Sequence, residues 1–162
     1  MIHINLYNHV FEVADLNVGQ TGIKIQTNPA KPLNKFGHGP FCKFSVPKEL
    51  QCHIGDKGLY FFAVNGIVKY IGSTTQDFKT RIDNGYGNIT PGNCYTSGQL
   101  TNCHVNSMIN NAICNNNYVQ LGICPFSDSD YPTPDDCNNA IRTAEAGLIK
   151  LFFENVCWNL TL

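Results

Sequence analysis

The chain has 162 residues, 43% of them hydrophobic and 14% charged, with a net charge of −1. That size and apolar content allow one domain with an extension and a real core. The near-zero charge is no global signature of a nucleic-acid binder, and no apolar run reaches the roughly 18 residues of a membrane span.

Residues 1–20 lack a basic segment followed by an apolar run, so no signal peptide is expected and the predicted location is cytoplasmic. The eight cysteines are then expected to be reduced thiols, mostly buried. They contain no C-x-x-C pair. A zinc site from Cys94, Cys103, His104 and Cys114 matches no common ligand spacing. Charge is uneven along the chain. Up to Ile82 nine Lys/Arg stand against five Asp/Glu, and from Asp83 onward two stand against seven.

Residues 1–56 read as an N-terminal extension. Ile2–Tyr7 alternates as a strand does, Val10–Val13 and Gly22–Ile25 are short apolar pieces, and Phe41–Val46 alternates again. Between them Asn28–Pro40 is a Pro/Gly/Lys-rich loop. Lys24, Lys31, Lys35, Lys43 and Lys48, with Phe36 and His38 among them, make either a DNA-contacting arm or an ordinary solvated loop.

The most informative stretch is Gly58–Gly87. Two β-rich runs, Leu59–Val64 and Ile67–Ser73, flank Asn65-Gly66, a strong hairpin signal because both residues tolerate positive φ. Thr74, Thr75 and Asp77 are capping residues ahead of a predicted helix over Gln76–Asn84. Arg81 follows Phe78 by three, which turns it inward. The hairpin register decides whether Tyr60 and Tyr70 share a face. A strict two-residue loop pairs Tyr60 with Ile71 and separates them. A type I turn with Gly66 as a left-handed bulge pairs Tyr60 with Tyr70, and this register is the one expected.

A second helix is predicted over Thr101–Cys114, a third strand over Tyr118–Cys124, and a third helix over Asp135–Phe153. In that last helix Glu145 sits four residues from both Ile141 and Ile149, inside the apolar stripe. A carboxylate there needs an ion-pair partner, hydrogen bonds or a metal.

The segment GLY at 58–60, KYIG at 69–72 and Arg81, nine residues beyond the YIG glycine, resembles the signature of the GIY-YIG nucleases. Glu145 and Asn159 stand where that family carries a Glu and an Asn. The resemblance covers roughly residues 57–162. It implies an α+β fold: a small sheet seeded by the hairpin and flanked by three helices. It also implies a metal-dependent endonuclease acting on double-stranded DNA and leaving 5′-phosphate and 3′-hydroxyl ends.

The implied catalytic set is Tyr60, Tyr70, Arg81, Glu145 and Asn159. Arg81 would bind the phosphate and Glu145 one Mg²⁺ (or Mn²⁺). Tyr60 would take the proton of the attacking water and Tyr70 would orient water or phosphate. A tyrosine is a poor base unless positive charge lies close, and Lys57, Lys69, Arg81 or the metal would have to supply it. Lys69, Ser73 and Tyr86 are the expected substrate contacts.

Many relatives carry His or Tyr soon after the helix arginine. Here the fourth residue on is Gly85 and the nearest candidate is Tyr86. A restriction-type enzyme, in one copy or as a homodimer, is the leading expectation. The alternatives are a non-catalytic DNA-binding or interaction module and a structure-specific repair or recombination nuclease.

Overall fold

Asn65 and Gly66, with φ of 49° and 80°, form the tight turn of a hairpin from which a five-stranded sheet is built. The computed structural model describes residues 1–160. The hairpin strands are β5 (Lys57–Val64) and β6 (Ile67–Thr74). With β1 (Ile2–Leu6), β2 (His9–Asp15) and β7 (Val119–Phe126) they form one antiparallel sheet in the order β1-β2-β7-β5-β6. A second, two-stranded sheet pairs β3 (Val18–Ile23) with β4 (Phe41–Phe44). The helices are α1 (Pro91–Cys94), α2 (Leu100–Cys114), α3 (Pro134–Leu151), a π-helix over Lys79–Tyr86 and two short 3-10 helices, Lys48–His53 and Asp128–Asp130. The fold is α+β. Among the described residues no helix is long and apolar enough to cross a membrane.

Residues 1–56 add strands to the main sheet: β2 pairs with β7 and brings β1 in beside it. Two expectations are corrected. The first helix is wound as a π-helix rather than an α-helix. The hairpin register also differs. Val64 pairs with Ile67 across a strict two-residue turn, so the bulge is not at Gly66. It lies further in, where Ala63 faces Val68 and Phe62 faces Tyr70, leaving Lys69 as the extra residue. Tyr60 therefore pairs with Gly72, not Tyr70. The bulge still restores the parity that the turn alone would break, and both tyrosines point to one face.

Alternation on β5 and β6 splits the core in two. Tyr60, Phe62 and Tyr70 pack with Phe78, Ile82 and Tyr86 of the π-helix segment and with Val105 and Ile109 of α2. On the other face Leu59, Phe61 and Ile71 pack with Ile141 and Leu148 of α3. Every residue from Gly58 to Ala63 is buried, as a central strand covered on both faces should be. Thr133 caps α3 by accepting a hydrogen bond from the Asp136 N–H.

The first core is stitched by asparagine. Asn102, Asn106 and Asn110 recur every four residues on one face of α2, and all three are buried. Asn106 is fully buried. It accepts from the Cys42 N–H at 2.8 Å and donates to the carbonyls of Cys42 (2.8 Å) and Tyr86 (2.6 Å). Asn110 accepts from the Gly22 N–H at 2.9 Å. α2 thus ties the β3–β4 hairpin to the end of the π-helix.

Asn106→Ala leaves three backbone groups without partners, and at about 1 kcal/mol or more each this destabilises the fold by about 3 kcal/mol. Exposed Asn111→Ala on the same helix should change it by less than about 0.5 kcal/mol. Urea midpoints of the two variants at equal m-value check this.

Candidate active site

β6 is an edge strand of the main sheet, and the site is built over that edge. The π-helix covers one face of the sheet and α3 the other. Residues from both faces can meet only where the sheet stops. A cleft of about 320 Å³ lies there, lined by Tyr70, Arg81, Thr101, Glu145 and Asn159, with Ala146, Ile149 and Leu160.

Arg81 comes from the π-helix. Asp77 caps its start, accepting from the Thr80 N–H at 2.6 Å. At the other end the Gly87 N–H bonds the Ile82 carbonyl, a five-residue step, at 2.7 Å. The wider winding brings residues five apart onto one face, so Tyr86 meets Arg81 although a normal α-helical turn would have presented Gly85. Arg81 Nη2 donates to the Tyr86 hydroxyl at 2.7 Å, and its guanidinium carbon lies 4.6 Å from the Tyr86 ring centroid. Arg81 Nε donates to the Tyr60 hydroxyl at 3.0 Å, and Nη1 makes a long contact of 3.5 Å with Asn102 Oδ1. The Tyr86 hydroxyl also bonds those of Tyr60 (3.0 Å) and Tyr70 (2.8 Å).

All of these partners are neutral. Among the described residues no carboxylate lies within 4.0 Å of the guanidinium. Burial opposes the charged form of Arg81, but the surrounding phenol oxygens outweigh it and hold the arginine protonated. Burial pushes both Tyr60 and Tyr86 up, with neighbouring phenols adding to the effect, and the contact with Arg81 does not reverse it. The Tyr60 ring lies over Gly72, where a Cβ would come within 2.5 Å of its hydroxyl end. The glycine of the YIG segment is therefore a packing requirement.

Glu145 arrives from α3 on the opposite face. Its Oε2 accepts from the Ser73 hydroxyl at 2.7 Å, which holds the carboxylate against β6. Asn159 serves the same edge. Its side chain accepts from the Ile71 N–H at 3.1 Å and donates to the Ile71 carbonyl at 2.8 Å, imitating another strand. The Trp158 N–H bonds the Lys69 carbonyl at 3.0 Å beside it.

Of the expected site residues, Tyr70, Arg81, Glu145 and Asn159 line the cleft together. Tyr60 and Tyr86 do not. They are fully buried and reach the cleft only through Arg81 and Tyr70. Ser73 holds Glu145 rather than lining the cleft, and Lys69 is the bulge residue, also outside the lining. Asn102 is a residue that sequence reasoning missed. Its place on the inner stripe of α2, one turn before Asn106, was the available signal.

Glu145 suits a hard dication. The lining offers a carboxylate and hydroxyl oxygens, with no imidazole or thiol beside them. Mg²⁺ and Mn²⁺ are commonly held by one or two carboxylates plus water and substrate phosphate.

The sulfurs of Cys94 and Cys103 are buried in a separate cluster, and His104 packs against the Phe36 ring at 4.3 Å. All eight thiols are free. Glu12, Cys52 and His53 offer ligand atoms within 4.8 Å of one another. Both ring nitrogens of His53 are already engaged, however, by Glu12 and by Asp56, each at 3.0 Å. This is an ion-pair clamp between β2 and the turn before β5.

Burial pulls the His53 imidazole down, but hydrogen bonds to Asp56 and Glu12 outweigh it, and it lies above its ordinary value. A histidine raised on folding contributes stability that is complete below about pH 6.5 and lost as pH rises through the folded value. Unfolding free energies at pH 6 and pH 8 should therefore fall more steeply in the natural chain than in His53→Gln.

No protein-family model matches the chain, and no curated protein or solved structure matches it.

Proposed function

We propose that this chain is a metal-dependent DNA endonuclease of the GIY-YIG kind, hydrolysing phosphodiester bonds at the cleft over the β6 edge. The observation that carries the reading is Arg81: a half-buried guanidinium, bordering a cleft, whose partners are all neutral. A guanidinium without a carboxylate beside it keeps its charge for an anion, and its planar fork matches two phosphate oxygens. Glu145 on the opposite wall adds the second half of the chemistry, a carboxylate for a dication that would neutralise the leaving oxygen.

The residues divide the work as follows. Arg81 binds the non-bridging phosphate oxygens and stabilises charge developing on them. Tyr70, the phenol on the cleft wall, is the acid–base group that meets the attacking water. The water oxygen bonds to phosphorus and the bond to the 3′ oxygen breaks; that oxygen leaves as an alkoxide and takes a proton from solvent, giving a 5′-phosphate and a 3′-hydroxyl. Tyr60 is too buried to meet that water, and its raised pKa keeps its proton in place. With Tyr86 it holds the guanidinium. Ser73 orients Glu145, and Asn159 fixes the backbone of β6 at Ile71, next to Tyr70.

A restriction role in the cytoplasm is the form of this activity that we favour. With one cleft per chain, cutting both strands takes two protomers or two successive nicks.

Plasmid DNA incubated with the protein tests the proposal. Cleavage should require Mg²⁺ or Mn²⁺ and stop with EDTA. Arg81→Ala and Glu145→Gln should each lower the rate by about 10²–10³-fold, and Arg81→Lys should not rescue it. Wild type indistinguishable from these variants would leave a DNA-binding or interaction module. Discrete bands distinguish sequence reading from the smear of a structure-reading repair or recombination nuclease.

The two tyrosines should separate in the same assay. Tyr70→Phe should lose about 10²-fold or more in kcat and flatten the pH–rate profile. Tyr60→Phe should lose less and keep the profile, as expected of a positioning residue. An equal loss with both profiles flattened would return the proton-accepting role to Tyr60.

A further inference from the structure

Between Leu16 and Lys48 the chain carries Lys24, Lys31, Lys35, Lys43 and Lys48 and no acidic residue. Between Asn84 and Ser127, which spans α1 and α2, it carries no Asp, Glu, Lys or Arg at all. These two stretches pack on each other: Asn106 and Asn110 of α2 bond β4 and Gly22, and Leu33 bridges to Tyr95. The side of the molecule they build therefore has positive charge with no acid from either stretch to offset it.

The loop that carries Lys31 and Lys35 is fastened rather than loose. Asn34 is buried between the two lysines. Its side chain donates to the carbonyls of Asn93 (2.7 Å) and Tyr95 (3.2 Å) and accepts from the Phe36 N–H (2.8 Å). Its own N–H bonds the Cys94 carbonyl at 2.7 Å. Gly37 presses so closely on the Cys94 carbonyl that a Cβ would lie 2.1 Å from it. Both lysines remain exposed, with Lys31 Nζ 5.4 Å from the Tyr95 ring centroid and Lys35 Nζ 5.3 Å from that of Phe36.

This loop continues into the cleft wall. Phe36 packs on His104 at 4.3 Å, and His104 lies one turn along α2 from Thr101, a cleft residue. Trp158 packs in the core cluster that holds Val105 and Ile109 of the same helix, and the next residue, Asn159, lines the cleft.

We infer that the Lys31–His38 loop is a nucleic-acid-binding face continuous with the cleft, where Lys31 and Lys35 contact backbone phosphates of duplex DNA on one side of the scissile bond. The inference rests on the nuclease reading, and it adds which surface carries the substrate beyond the reacting phosphate. Phosphate contacts of this kind hold the duplex in register without reading its sequence.

The test is fluorescence anisotropy of a mixed-sequence duplex across a salt series. It compares full-length Glu145→Gln, which binds without cutting, with the same chain also carrying Lys31→Gln and Lys35→Gln. The slope of log K against log salt should fall by about 2, roughly one per lost phosphate contact. Cleavage by Lys31→Gln/Lys35→Gln at saturating DNA should keep its kcat and raise its KM. Unchanged slope and KM in a chain that does cut DNA would overturn this face and leave the nuclease reading intact. No duplex binding by the Glu145→Gln parent and no cutting by the natural chain would overturn both.

Discussion

Removing a guanidinium from water without a carboxylate to receive it is costly, and the structure around Arg81 is arranged to meet that cost with neutral oxygens. Tyr60 and Tyr86 accept two of its N–H groups within 3.0 Å, and its guanidinium carbon lies over the Tyr86 ring. A carboxylate in that position would have been a stronger partner, but it would have cancelled the charge. Phenols hold the group in place and leave its field directed into the cleft. Their own raised pKa values follow from the same burial: neutral phenols donate and accept around the cation without competing for it.

Several local features serve this cradle. The π-helix sets Tyr86 opposite Arg81 by stretching one turn to five residues. Gly72 leaves room for the Tyr60 ring, and the bulge at Lys69 turns Tyr70 onto the same face as Tyr60. Asn106 holds the carbonyl of Tyr86 from α2, so the β3–β4 hairpin and the cradle share one buried side chain. Polar groups buried in this number stabilise only when all of them are bonded, and Asn106 is.

The second constraint is the edge of the sheet. Arg81 and Glu145 stand on helices covering opposite faces, and a sheet lies between them everywhere except beyond β6. An open edge invites pairing with another chain. Trp158 and Asn159 close it at Lys69 and Ile71 with three hydrogen bonds, two of them from one amide side chain. In this way the C-terminal segment protects the strand and completes a wall of the cleft.

The sequence by itself determined what is local. The Asn65-Gly66 turn, the two strands around it, α2, α3 and the singular placement of Glu145 follow from turn chemistry and periodicity, which act over a few residues. Arg81, Tyr70 and Asn159 were also legible, through motif and order. Only the tertiary structure decided which tyrosine borders the cleft, because Tyr70 stands on the edge strand β6 and Tyr60 on β5 inside the sheet. It alone revealed the π-winding that promotes Tyr86, a consequence of fitting Phe78, Ile82 and Tyr86 into one core at once. It also joined β1 and β2 to the main sheet and fastened the lysine loop beside α2. Those contacts link residues some 60 to 110 positions apart, such as Asn34 with Asn93 and Glu12 with Ile123, and no local pattern encodes a pairing across such a separation.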